Sequence, residues 1–137
     1  MTDFHTINTR RWGTGVSPEW PVDKRNTLDI PPVLRPIRVV YVAGPFRAKT
    51  QWGITQNVKK AEIASLELWK QGYAVICPHT MTRNFQNECP DYIWLDGCLE
   101  LLRRCDAIYL VEGWEKSEGS VQEYKLAREL DLTIMEE

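Results

Sequence analysis

The fold of this chain follows from residues 37–45, which read Ile-Arg-Val-Val-Tyr-Val-Ala-Gly-Pro. A run of β-branched and aromatic residues is typical of a buried strand, and the Gly44-Pro45 pair ends it because both residues are poor strand formers. Three later apolar runs predict further strands, and they lie at residues 73–77, 107–111 and 132–135.

The stretches between these runs have the periodicity of amphipathic helices. Between the first two strands, apolar residues recur at steps of four, three, three and four. They are Ile54, Val58, Ala61, Ala64 and Leu68, and Gly72 follows as the expected C-terminal cap. Further helices are predicted over residues 91–104 and 120–130, and an irregular loop over residues 79–90. In the first of these two helices the expected core residues are Ile93, Leu95, Leu99 and Leu102.

Strands separated by helices of this length predict an α/β domain, with a parallel sheet and helices on both faces. We assign this domain to residues 37–137. Residues 1–36 hold five of the eight prolines and no sustained periodicity, and we interpret them as an N-terminal arm. A flexible arm is one interpretation. Because the arm also carries apolar side chains such as Trp12 and Trp20, we expect it to pack on its own domain or on a neighbouring subunit.

The composition of the chain narrows the classes of function that it could have. The chain has 137 residues, of which 43% are hydrophobic and 26% charged, as in an ordinary globular protein with one core. Its net charge of −2 disfavours binding to a nucleic-acid polymer, because proteins that bind the phosphate backbone usually carry a basic excess. No apolar run approaches the roughly 20 residues that cross a bilayer, and no signal segment is visible. We therefore expect a cytoplasmic protein without a membrane partner.

The cysteines do not predict a metal site. Their spacing contains no CxxC pair, and only His5 and His79 could complete a zinc set. We expect neither a metal nor another cofactor, and we expect reduced thiols, with Cys77 and Cys105 in the core. The four cysteines are Cys77, Cys89, Cys98 and Cys105.

The strand ends locate a candidate site, because ligands of an open parallel sheet bind beyond the carboxyl ends of its strands. This rule selects the turn Gly44-Pro45-Phe46-Arg47, the segment around His79, and the loop from Gly113 to Glu123. In that loop, Ser117-Glu118-Gly119-Ser120 leads into a helix whose N-terminus could bind a phosphate. The commoner interpretation is an ordinary helix start with Ser120 as N-cap.

Glu123 follows on the first predicted turn of this helix. The helix N-terminus stabilises a carboxylate there, so we expect Glu123 to be ionised at neutral pH. An ionised carboxylate suits a nucleophile in glycosyl transfer. From spacing alone, an exposed carboxylate that only complements the helix dipole is favoured.

Other residues near the strand ends each allow two interpretations. Arg47 could clamp an anion or lie in solvent, and the Tyr41 hydroxyl could face the site or pack in the core. His79 could titrate near neutrality or be a hydrogen-bonded loop residue. Phe46 and Trp114 could stack on a base or cover the loops.

Two aspartates complete the candidates. Asp96 could reach the site or cap backbone groups from the start of its helix. Asp106 precedes the third strand, at the opposite end of the sheet, and is therefore expected to be structural.

Taken together, these residues resemble the nucleoside 2-deoxyribosyltransferase superfamily, and its small, poorly characterised bacterial and phage branch in particular. The matching stretches are residues 41–47, 105–110 and 113–123, followed by Ala127. The resemblance implies a flavodoxin-like or Rossmann-like three-layer sandwich, with four or five strands, that cleaves the N-glycosidic bond of a nucleoside or nucleotide. It is similar in this respect to 2′-deoxynucleoside 5′-phosphate N-hydrolases.

The resemblance also implies roles for single residues. Glu123 corresponds to the nucleophile that attacks the sugar C1′, and Tyr41 to the residue that orients it. Ser117 and Arg47 correspond to phosphate-binding positions. The family aspartate that protonates the base corresponds to a position nearer Cys98 than Asp96, which leaves His79 as a substitute acid. Members are commonly homodimers or larger homo-oligomers, and a non-catalytic nucleotide-binding or sensor protein is the alternative function.

Overall fold

The computed structural model describes residues 36–137, so nearly all of the expected N-terminal arm lies outside the described residues. Four strands form one all-parallel sheet in the order β2-β1-β3-β4. This architecture confirms the α/β fold and is consistent with a flavodoxin-like or Rossmann-like three-layer sandwich. The strands are β1 Val39–Ala43, β2 Ala74–Ile76, β3 Ala107–Leu110 and β4 Thr133–Glu136.

Helices cover both faces of the sheet, as predicted. They are α1 Gln51–Lys70, α2 Pro78–Met81, α3 Asp91–Arg103 and α4 Glu118–Glu129, with a short 3₁₀ turn at Trp114–Lys116. Alternate residues of β1 point to opposite faces. Val40 and Val42 pack in one core with α1, whereas Tyr41 and Ala43 pack in the other with α3 and α4.

The long helix α1 forms as its periodicity predicts. The Thr50 side chain caps its first turn by accepting a hydrogen bond from the Gly53 N–H at 3.0 Å. Gly72 adopts a positive φ of 97° after the last turn, which a residue without Cβ does at little cost. The predicted core residues of α1 are buried, apart from the partly buried Ile54; the buried four are Val58, Ala61, Ala64 and Leu68.

The structure differs from the predicted pattern in two places. The segment after β2 does not begin as an irregular loop, because Pro78 occupies the first position of α2 and starts a helical turn there. In α3, Leu102 is buried, but Ile93 is 44% exposed. Cys98 and Leu101 pack against the core instead, so α3 is rotated relative to the predicted stripe.

The amino end of the sheet is closed by Asp106, whose carboxylate accepts a hydrogen bond from the Val39 N–H at 2.8 Å. This contact confirms the structural role predicted for Asp106. Cys77 and Cys105 are both buried, as expected. Among residues 36–137, no helix is long and apolar enough to span a bilayer.

The carboxyl end of the sheet contains the switch in strand order between β1 and β3, which continue into Gly44 and Val111. The Val111 N–H donates to the Ala43 carbonyl at 2.8 Å. A Cβ on Gly44 would lie 2.8 Å from the Val111 Cβ, too close for two carbon atoms. Gly44 is therefore needed because the two strand ends approach each other closely.

We predict that Gly44→Ala destabilises the fold by about 1–3 kcal/mol, because the new methyl group must displace the Val111 backbone or side chain. Urea unfolding followed by circular dichroism measures this change. Gly97→Ala is the matched control, since an added Cβ there meets nothing within 4 Å. In a helix interior it should stabilise the protein by about 0.5–1 kcal/mol. Equal effects from the two variants would contradict the close-approach argument.

Candidate functional site

The segments that follow the first three strands meet at one place. The His79 ring lies against the turn after β1, with Nε2 at 3.0 Å from the Gly44 carbonyl oxygen and 2.9 Å from that of Pro45. Gly113, after β3, adopts a positive φ of 91° and lies beside Pro45. The structure therefore brings together the three segments that the sequence selected.

A buried hydrogen bond lies beneath these segments. The Tyr41 hydroxyl, on the central strand, donates to Oε2 of Glu123 on α4. Tyr41 is fully buried and Glu123 is only 9% exposed. Because α4 begins at Glu118, Glu123 lies on its second turn. The sequence had predicted the first turn. The exposed carboxylate that spacing alone favoured is therefore not what the structure contains.

Burial changes the protonation of this pair. It raises the pKa of Glu123 to about 7, against the opposing effects of the Tyr41 hydroxyl and of His79. The expectation of an ionised carboxylate at neutral pH is wrong, because desolvation by burial is the largest effect on the pKa of Glu123. Burial, and then the Glu123 charge, raise the pKa of Tyr41 far above its usual value, so its hydroxyl remains a donor.

Cys98 is a residue of the site that the sequence reasoning did not assign. Its thiol lies beside the Tyr41 hydroxyl, and burial together with the Glu123 charge raises its pKa, so the thiol stays protonated. Asp96 lies two residues earlier and is exposed. Two residues correspond to a rotation of about 200° around a helix, so the two side chains project from different faces of α3. The only sequence signal for Cys98 was its match to the position of the family aspartate.

The turn before α4 is a capped helix start. Ser117 is the N-cap: its Oγ accepts a hydrogen bond from the Ser120 N–H at 3.3 Å. Ser120, the N-cap that the sequence predicted, lies inside the first turn because the helix starts earlier. Its Oγ is buried and has no hydrogen-bonding partner in the described part of the chain. At Gly119 the space that a side chain would fill is open.

Three larger side chains near the strand ends contact neighbouring residues, and they are Arg47, Phe46 and Trp114. Arg47 forms an ion pair with Asp91 at the start of α3, and both side chains are exposed. The Phe46 ring contacts the His79 ring edge-on, with 5.8 Å between centroids. The Trp114 ring packs on Tyr124 at 4.7 Å, and its Nε1–H donates to Glu136 at 3.1 Å, so it covers α4 and β4.

One family match covers all four strands of this sheet and the candidate site. A family model described as Domain of unknown function (DUF4406) matches residues 38–136. The chain belongs to the DUF4406 family. No curated protein matches it. The DUF4406 match starts one residue before β1 and ends with the last residue of β4.

The side chains of Glu123, Tyr41 and Cys98 in this DUF4406 protein are suited to proton transfer and to nucleophilic attack. It combines a carboxyl group that titrates near neutrality with a phenol and a thiol that remain protonated. Within residues 36–137, no three His, Cys, Asp or Glu side chains are grouped as a metal ion would require.

We predict that the raised pKa of Glu123 makes the fold less stable as pH rises. An acid with a raised folded-state pKa contributes stability at low pH, and this contribution is lost as pH rises from its ordinary value through about 7. The permanently neutral Glu123→Gln variant should therefore gain about 3 kcal/mol over the wild type between pH 4 and pH 8. Urea unfolding at both pH values measures the difference.

Asp96→Asn is the control for this experiment because it removes an exposed carboxylate from the same domain. The pH-dependent gain of Glu123→Gln should exceed any change that Asp96→Asn shows. A pH-independent effect of Glu123→Gln would contradict the raised pKa.

Proposed function

We propose that this protein cleaves the N-glycosidic bond of a (deoxy)nucleoside 5′-monophosphate, by hydrolysis or by base exchange, with Glu123 as the nucleophile. One observation carries the proposal: a buried carboxylate is oriented by a tyrosine at the carboxyl ends of the central strands. This is where a parallel sheet binds its ligands. The sequence resemblance to nucleoside 2-deoxyribosyltransferases supports the same chemistry.

The reaction proceeds in two displacements at the sugar C1′. Tyr41 occupies Oε2 of Glu123, which leaves Oε1 to attack. The bond from C1′ to the base nitrogen breaks, the electron pair leaves with the base, and the base takes up a proton from water. A glycosyl ester of Glu123 remains. Water, or the nitrogen of a second base, then attacks C1′ and loses a proton to solvent, and the ester bond from C1′ to Glu123 breaks to release the carboxylate.

Substrate binding uses the surrounding segments. The 5′-phosphate lies at the N-terminus of α4, where Ser117 and the open space at Gly119 permit close contact with backbone N–H groups. Arg47 turns from Asp91 to the phosphate at small cost, because an exposed ion pair contributes only about 0–1 kcal/mol. Phe46 offers a ring face to the base.

A second function, nucleotide binding without turnover, is favoured by one observation. Asp96, which the sequence allowed to reach the site, is exposed, and the protonated thiol of Cys98 lies beside Tyr41 instead. A thiol with a raised pKa gives up its proton less readily than a carboxylic acid. A protein with this pocket would retain a nucleotide and cleave it slowly or not at all.

We predict that the wild-type protein releases free base from at least one member of a panel of nucleosides and 5′-monophosphates, as measured by chromatography. The Glu123→Gln variant should lower the rate by about a thousandfold or more, because it removes the nucleophile. Asp96→Asn is the comparison, with less than about a threefold change, since its carboxylate is exposed. Nucleotides that raise the melting temperature but release no base would favour the binding function, and the absence of both effects would exclude both functions.

We also predict that kcat/KM rises with pH through about 7, as the Glu123 carboxyl ionises. Tyr41→Phe removes a hydrogen bond that favours the carboxylate, so it should move this rise to higher pH as well as lower the rate. Steady-state rates between pH 5 and pH 9 test this. A rise that stays at the same pH in Tyr41→Phe would contradict the orienting role of Tyr41.

A further inference from the structure

The outward side of helix α1 carries large apolar side chains that are exposed among residues 36–137. Ile63, Leu66 and Trp69 are each between 51% and 57% exposed. They are spaced three residues apart, so their side chains are neighbours on the helix surface. Leu66 lies two residues from the buried Leu68, a rotation of about 200°, and therefore points away from the core. We call Ile63, Leu66 and Trp69 the outer face of α1.

The charged residues around the outer face pair with one another. Lys59 Nζ lies 3.4 Å from the Glu62 carboxylate, and Lys70 Nζ lies 4.0 Å from that of Glu67. The outer face therefore has an apolar centre and a polar rim without an excess of either charge. Surfaces of this kind are typical of binding sites for other protein segments. A segment that fits this face should be apolar and carry little charge.

The described chain starts beside one end of the outer face. The Arg38 carbonyl accepts a hydrogen bond from the Ala74 N–H at 3.0 Å. Two residues before Ala74, the Gly72 N–H donates to the Trp69 carbonyl at 2.9 Å. The residues that precede Arg38 are therefore attached next to the last turn of α1.

The sequence just before this attachment point has the composition that the outer face requires. Residues 28–34 read Leu-Asp-Ile-Pro-Pro-Val-Leu, with four Leu, Ile or Val side chains and a single charge. The two prolines restrict the backbone before binding, which lowers the entropy that binding costs. Seven extended residues reach about 24 Å, whereas six residues of helix, from Ile63 to Trp69, extend about 9 Å. The segment is long enough to cover the whole outer face.

We propose that the outer face of α1 is a docking surface for residues 28–34 of the same chain. Three residues join this segment to Arg38. The short connection keeps the segment at a high local concentration near the outer face, which favours it over the same segment of a second copy. The proposal selects the chain's own domain over a neighbouring subunit as the partner of the N-terminal arm. It does not depend on the proposed function.

Photocrosslinking of the full chain tests the contact. The photoreactive amino acid benzoylphenylalanine replaces Leu66 in one variant and Glu129 in the control. Glu129 is exposed on α4, which packs on the other side of the sheet from α1. We expect the probe at position 66 to form crosslinks with residues 28–34, identified by mass spectrometry of the peptides. The probe at position 129 should form none with that segment.

A mixture of ¹⁵N-labelled and unlabelled chains, equilibrated before irradiation, identifies which chain supplies the segment. A crosslink within one chain joins two labelled or two unlabelled peptides, whereas crosslinks between copies also join a labelled to an unlabelled peptide. Abundant mixed pairs would overturn the proposal in favour of a second copy as the partner. The absence of crosslinks from position 66 to residues 28–34, or equal crosslinking from position 129, would overturn it as well.

Limited proteolysis of the full chain tests the same contact without a probe. Chymotrypsin cleaves after Leu28 and Leu34 in molecules whose segment is released, so the cleavage rate follows the released fraction. Leu66→Asp puts a charge at the centre of the outer face and should raise the rate at these bonds by about tenfold or more. Leu130→Asp is the matched control, since Leu130 is also an exposed leucine but follows α4. Its rate should stay within about twofold of the wild type.

An unchanged cleavage rate in folded Leu66→Asp would overturn the proposal, because the segment would then be protected without the outer face. If circular dichroism shows that Leu66→Asp does not fold, Ile63→Asp carries the test by the same criterion, since Ile63 is also exposed on this face. Neither measurement uses turnover. A protein that releases no base can still support this inference, and an active protein without the crosslink would retain its function without it.

Discussion

The hydrogen bond between Tyr41 and Glu123 joins the central strand to α4 within the buried part of the domain. Each of these polar groups would be costly to bury alone, since an unpaired buried donor or acceptor loses about 1–3 kcal/mol. Their pairing therefore constrains how α4 can lie across the sheet. The turn at Ser117 and the close contact of Gly44 with Val111 place the strand ends around this bond.

Burial also changes the pKa of Glu123, and two neighbouring groups oppose this change. Desolvation raises the pKa of Glu123, and the Tyr41 hydroxyl and His79 act in the opposite direction. A carboxyl group that titrates near neutrality is unfavourable for stability and useful for chemistry, which is why perturbed carboxyl groups are common in functional sites. In this domain the same acid is both a structural partner and the candidate nucleophile.

The side of α3 that faces Tyr41 differs from what the resemblance implied for this DUF4406 protein. Cys98 faces Tyr41 where an acid was expected, and Asp96 faces outward. A thiol is smaller and less acidic than a carboxylic acid. For the proposed reaction, this change leaves Glu123 in place and alters a side chain beside Tyr41, so the protonation of the leaving base is the proposed step that it affects most.

The sequence by itself determined the helices and strands and the place of the candidate site. The apolar runs and the four-three-three-four spacing on α1 predicted the parallel sheet, because burial imposes those periods on any chain that forms it. The strand ends then selected Gly44, His79, Gly113 and Glu123, whereas Tyr41 could equally have packed in the core. Only the tertiary structure decided how α3 is rotated, that Ser117 rather than Ser120 caps α4, and that Glu123 titrates near neutrality. These features depend on which groups are removed from water together, and residues distant in sequence determine that.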